Sequence, residues 1–167
     1  MTRAPEYHFV THWRVPGALD DVADVLSDAT DLPRWWPAVY LDAVETRPGD
    51  DDGIGQEIAL HTRGALPYTL RWHFRVTESD FPHRFALEAW RDFRGRGEWR
   101  LRQDGPVVDV TYDWRVRAEK PLLRRLTWLL RPAFAANHRW AMRQGEASLR
   151  RELARRAAAP RSPPSLA

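Results

Sequence analysis

Residues 121–157 read PLLRRLTWLLRPAFAANHRWAMRQGEASLRRELARRA, and this stretch constrains the rest of the chain more than any other. On a helical wheel Leu123, Leu130, Phe134, Ala141, Met142, Gly145, Leu149 and Leu153 fall on one broad face. Arg139, Arg143, Glu146, Arg150 and Ala154 fall on the opposite one. At ~1.5 Å rise per residue, an unbroken helix of this length reaches roughly 55 Å. A helix that long needs an equally long apolar surface to cover its stripe. Asn137 and His138 interrupt the stripe from its two flanks, and Pro132 lies just upstream, where a kink would shift the wheel by a residue.

The preceding residues supply the partner surface. Residues 7–15 alternate Tyr7, Phe9, Thr11, Trp13 and Val15 against His8, Val10, His12 and Arg14, the pattern of a first strand. Residues 18–27 form a short helix. Asp31-Leu32-Pro33-Arg34-Trp35-Trp36-Pro37 follows as a further helical turn or rigid loop between prolines. Six consecutive strands are then predicted, at 39–46, 56–63, 68–77, 84–91, 93–102 and 107–117. The strand at 68–77 puts Tyr68, Leu70, Trp72, Phe74 and Val76 inward; the one at 84–91 turns Phe85, Leu87 and Ala89 inward and leaves Trp90 outside or at a bulge. The last two direct Gly97, Trp99 and Leu101, and Val108, Val110, Tyr112, Trp114 and Val116, to the same side. Short turns between successive strands predict an antiparallel sheet. The expected fold class is α+β: a curved antiparallel seven-stranded sheet wrapped around the long C-terminal helix, with two short helices after strand 1. One domain is expected at 5–157, with a disordered Pro/Ser-rich tail at 158–167.

Composition sets the outer limits. At 167 residues, 43% hydrophobic and 29% charged, the chain can bury a core and is not of the disordered type. No apolar run approaches the ~20 residues of a membrane span, so no integral membrane contact is expected. The first ten residues lack the apolar core of a secretory signal, and the cytoplasm is the expected compartment. The absence of Cys excludes disulfides and thiol catalysis. The net charge is only +3, so the high pI of about 9.8 reflects arginine, which keeps its proton; nucleic acid is not an expected partner. Oligomeric state is left open.

Several short motifs, taken in order, resemble those of a known superfamily. Asp31 to Pro37 is similar to its aromatic turn after the first helix, and Gly53-Ile54-Gly55 resembles the Gly-x-Gly that opens its third strand. Gly95-Arg96-Gly97-Glu98-Trp99 resembles its Gly-x-Gly-x-Trp strand. Pro132 through Asn137-His138 to Met142 and Gly145 resembles its helix signature. The superfamily is the START-like, Bet v 1-type helix-grip group (SRPBCC), and the branch is the bacterial polyketide cyclase/dehydrase-like one. The resemblance covers roughly residues 5–157. It implies an elongated cavity between helix and sheet. Because the superfamily includes binders, transfer proteins and enzymes, it does not by itself imply a reaction.

Nine Trp in one small domain agree with such a cavity, since aromatic side chains line apolar ligand sites. The expected partner is a hydrophobic small molecule such as a lipid, a polyketide or a quinone-like compound. The expected lining is Trp35, Trp36, Tyr68, Leu70, Trp72 and Phe74; Trp99, Tyr112 and Trp114; and Leu130, Phe134, Asn137, His138, Ala141 and Met142 from the helix. If the protein is a polyketide cyclase/aromatase, His138 would be general acid/base, Tyr112 a proton donor and Asn137 the group that orients a carbonyl. Glu98 would qualify only in the opposite strand register. The architectural alternative for Asn137 and His138 is a polar pair anchoring the helix, with His138 on a backbone carbonyl or an acid of the Trp35 turn. Gly145, costly inside a helix, implies a close approach to a strand or room for a ligand.

Other chemistries find no support. His8 and His12 share a strand face but lie roughly 13 Å apart, too far for one metal ion, and no metal site or cofactor is expected. Asp50, Asp51 and Asp52 lack a downstream acidic ligand at EF-hand spacing and read as a solvated turn. The paired glycines sit in strand–turn contexts, which removes a dinucleotide site. The arginine-rich back of the helix reads as a solvated face. A dry-cored interaction or chaperone-like module is the remaining alternative from another class.

Overall fold

The computed structural model describes residues 6–119 and 121–159, with side chains omitted for residues 118 and 121–130. The elements are β1 (Glu6–Pro16), α1 (Leu19–Ser27), a single 3-10 turn (Ala29–Asp31), α2 (Leu32–Trp35), β2 (Tyr40–Arg47), β3 (Glu57–Arg63), β4 (Thr69–Asp80), β5 (Arg84–Arg91), β6 (Phe93–Asp104), β7 (Val107–Ala118) and α3 (Pro121–Ala158). One seven-stranded antiparallel sheet runs in the order β1-β7-β6-β5-β4-β3-β2. The strands from β2 to β7 therefore form a meander, and β1 closes onto the last of them in a register from Glu6↔Arg117 to Pro16↔Val107. This is the α+β helix-grip architecture. Among the described residues, no helix is long and apolar enough to cross a membrane.

Alternation sets the concave face. Tyr7, Trp13 and Val15 of β1 are buried while His8, Val10, His12 and Arg14 are exposed. Trp99 and Leu101 of β6, and Val108, Val110, Tyr112, Trp114 and Val116 of β7, are buried on the same side. A register shift in β4 between Val76 and Glu78 interrupts the ladder to β5. Such bulges bend a strand and increase its twist, which a sheet curling around a helix requires. Trp90 stacks on His73, ring centroids 5.5 Å apart, with the Arg75 guanidinium over it, on the face away from the core.

α3 runs unbroken through Pro132 and packs on β1, β7, α1 and α2. Among its described side chains the buried positions are Met142, Gly145, Ser148, Leu149, Glu152 and Leu153, a repeat of three and four residues. The apolar stripe thus carries a carboxylate that the wheel did not single out. Glu152 is only 4% exposed. It accepts hydrogen bonds from Arg34 Nη2 at 2.7 Å and Nη1 at 2.9 Å, from Arg155 and from Arg156. Arg34 also donates to Asp31. Bonds from Arg155 and Arg34 hold the Glu152 carboxyl well below its ordinary range. This cluster ties the Trp35 turn to the end of α3. The fully buried side chains Val15, Val22, Val25, Ile58, Val108 and Leu149 form the densely packed part of the interior.

Candidate ligand cavity

Beside this packed part the interior holds two cavities. α3 packs against β1 and β7 at one side of a wide curved sheet, and the space it leaves is lined by side chains of every strand. A cavity of about 150 Å³ lies beside Phe134, Asn137, His138, Ala141 and Met142 of α3. Facing them are Tyr68, Leu70, Phe93, Trp114 and the β1 side chains Tyr7 and Phe9. A second cavity of about 450 Å³ lies toward α1 and the β2–β3 hairpin, lined by Leu26, Leu32, Leu60, Phe74, Phe85 and Trp99 among others. Half-exposed Phe81 is part of this lining. Trp36, Tyr40, Trp72 and Tyr112 line both cavities and form the waist between them.

Aromatic packing builds the waist. Tyr112 stacks on Trp99 with ring centroids 4.1 Å apart and on Trp114 at 5.8 Å. Trp36 meets Tyr40 edge-on at 5.1 Å and Trp13 at 5.8 Å. Trp72 Nε1 donates to Thr62 Oγ1 at 3.1 Å, which satisfies the one polar atom of that ring. Burial pushes the Tyr40 and Tyr112 phenols well above their ordinary range and Tyr68 to about 12, so all three stay protonated at neutral pH.

The two polar residues of the helix are both engaged. Asn137 Oδ1 accepts from the backbone N–H of Ala65 at 2.7 Å and of Leu66 at 3.4 Å. It thereby holds the loop between β3 and β4 over the smaller cavity. A Cβ at Gly64 would lie 2.2 Å from that oxygen, so the latch needs glycine there. His138 stacks on Phe9 with centroids 4.2 Å apart, and its Nε2 lies 3.5 Å from Thr11 Oγ1. Desolvation and then the nearby Arg139 lower its pKa to about 4, so the ring is neutral at pH 7. The acid of the Trp35 turn pairs with Arg34, and His138 rests on β1.

Of the other side chains singled out from the sequence, Trp36, Trp72 and Tyr112 border both cavities. Phe74 and Trp99 border only the larger, and Tyr68, Leu70, Trp114 and the described helix residues only the smaller. Trp35 is buried against Trp36, centroids 5.5 Å apart, and lines neither. The side chain of Leu130 lies outside the described residues. Glu98 points to the convex face, where Arg84 at 2.8 Å, Arg96 and Arg100 surround it. Sequence reasoning missed Tyr40, Leu60 and Thr62. Alternation of Ile58, Leu60 and Thr62 in β3 was available as a signal. Tyr40 had none, because two register shifts break the pattern of β2.

A long helix gripped by a curved sheet around an aromatic hollow defines the START-like helix-grip class. The chain belongs to the family described as polyketide cyclase / dehydrase and lipid transport, whose model matches residues 7–154. No curated protein matches it in sequence. Among solved structures it is similar to the Zhui aromatase/cyclase from Streptomyces sp. R1128, with 18% identity, a TM-score of 0.72, and 93% of this chain and 98% of that one covered. A START superfamily protein from Mycobacterium smegmatis aligns with 11% identity and a TM-score of 0.67 over 89% of this chain and 97% of that one. Norcoclaurine synthase from Thalictrum flavum, solved with a transition-state analogue, aligns with 10% identity and a TM-score of 0.65 over 95% and 100% of the two chains. At these identities the likeness is one of fold.

Proposed function

We propose that the protein binds an apolar or aromatic small molecule, of lipid, polyketide or quinone-like type, between α3 and the concave face of the sheet. The observation that carries this reading is the hollow itself: cavities of about 150 Å³ and about 450 Å³ sharing a waist of four aromatic side chains. Closely packed interiors leave few voids larger than a water molecule, so this volume is not ordinary core. It also speaks against a dry-cored interaction module. The test is a panel of fatty acids, polyketides and quinones, followed by tryptophan fluorescence and melting temperature. A ligand at a hundred times its Kd stabilises the fold by about 2.7 kcal/mol, a readily measured shift. Silence across the panel, with a crystal structure showing the side chains collapsed into the hollow, overturns the proposal.

A second reading, cyclisation of a polyketone, is favoured by the family description. In it the Tyr112 phenol donates to a ketone oxygen as enolate charge develops. His138 at a pKa of about 4 serves as a neutral base or hydrogen-bond partner rather than as an imidazolium acid. Asn137 has only its amide N–H groups left for a carbonyl, because its oxygen holds the loop. Turnover of a polyketone by the wild type, reduced at least tenfold in Tyr112→Phe with the fold intact, supports the role. Unchanged turnover in that variant removes it.

A further inference from the structure

The waist holds more hydrogen-bonding capacity than the protein uses. The Tyr40 and Tyr112 hydroxyls have no hydrogen-bond partner among the described residues, although both side chains line both cavities. Trp36 is 2% exposed, and its buried Nε1 also lacks a partner. The fourth side chain, Trp72, differs, because its Nε1 is satisfied by Thr62. Trp36 Nε1 is sealed in the interior without a partner, whereas the two phenol oxygens keep access to the cavities and take their partners from whatever fills them. A Cβ at Gly97 would lie 2.8 Å from the Tyr112 oxygen, so any larger residue would crowd the hydroxyl. On either side of the waist the walls are mainly apolar and aromatic, with Asn137 and His138 bordering the smaller cavity and Gln56 and Ser79 the larger.

Building on the ligand-binding reading above, we infer that the ligand spans both cavities and is recognised at its middle, where a carbonyl-type oxygen accepts hydrogen bonds from Tyr40 and Tyr112. The class is a molecule with two apolar or aromatic arms joined at a hydrogen-bond acceptor. An acceptor at the end of the molecule would lie in one of the cavities, away from these two phenols. A molecule without an acceptor would leave both phenols dry and unpaired, which sites built to bond an oxygen discriminate against strongly. Because both phenols remain protonated, they donate throughout the physiological pH range.

The test uses three probes of similar bulk: benzophenone, with an oxygen between two aryl arms; diphenylmethane, which has the arms alone; and 4-phenylbenzaldehyde, with its oxygen at one end. Affinities are measured by calorimetry on the wild type and on Tyr40→Phe, Tyr112→Phe and the double variant. The expected result is at least a tenfold preference of the wild type for benzophenone over both other probes. The double variant is expected to lose that preference and to bind benzophenone and diphenylmethane alike. Equal binding of the three probes by the wild type, or a preference that survives in the double variant, overturns the inference and leaves the ligand-binding function standing. If none of these probes and none of the earlier panel binds, that function falls and takes the inference with it.

Discussion

At Gly145 a Cβ would lie 2.3 Å from Trp36 Cζ2, closer than real atoms approach. The close approach expected from the sequence is therefore real, but the neighbour is an indole ring and not a strand. Gly145→Ala should gain ~1 kcal/mol in helix propensity yet lose more, about 1–3 kcal/mol, by overpacking. Urea unfolding should show a net loss, and fluorescence a displaced Trp36. At His138 the folded pKa of about 4 lies below the ordinary histidine value of 6.5. The unfolded chain then binds the proton more readily, so stability is complete above about 6.5 and falls as pH drops toward about 4. The slope for one proton cannot exceed about 1.4 kcal/mol per pH unit. His138→Phe keeps the stack on Phe9 and should flatten the melting temperature between pH 7 and 5; an unchanged slope would show that other groups carry it.

Among the elements, α3 acts as a strut fixed at both ends of its described face. Asn137 holds the β3–β4 loop by two backbone bonds, and Asn137→Ala should free the Ala65 and Leu66 amides to exchange with solvent. The expected cost is about 1–2 kcal/mol, with little change elsewhere in the exchange pattern. Farther along, Glu152 joins α3 to the Trp35 turn. Its folded pKa is depressed below 4.5, so its contribution is present above about that pH and lost as pH falls further. Glu152→Gln should cost about 1–3 kcal/mol at pH 7, less than a fully buried pair, because the Arg34 and Arg155 partners are about half exposed. Acid titration of that variant should lack the wild-type loss below pH ~4.5. The helix stripe was visible in the spacing of Met142, Leu149 and Leu153. Glu152 was not, because a carboxylate on an apolar face gains its reason only from arginines on other turns and on α2.

At the scale of the whole molecule, packed and hollow halves should respond differently to truncation. Leu149 is fully buried and lines no cavity, and Leu149→Ala should cost ~3–5 kcal/mol; Leu60→Ala, which enlarges a space already open, should cost nearer ~2. Equal losses in thermal unfolding would argue that the hollow is as tightly packed as the rest. The order of elements, the strand faces and the length of α3 followed from the sequence, because alternation and helical spacing are local and each residue carries its own share of the pattern. Tertiary structure alone decided what those faces enclose. Whether an inward Trp fills a core or borders a cavity depends on how far a curved sheet stands from its helix. That distance is set jointly by Gly145 against Trp36, by Asn137 on its loop and by Glu152 among its arginines, residues far apart in sequence. For the same reason the waist was out of reach. Tyr40 and Tyr112 border the same two cavities only when β2 and β7, well separated in sequence and in the sheet, curl around the hollow.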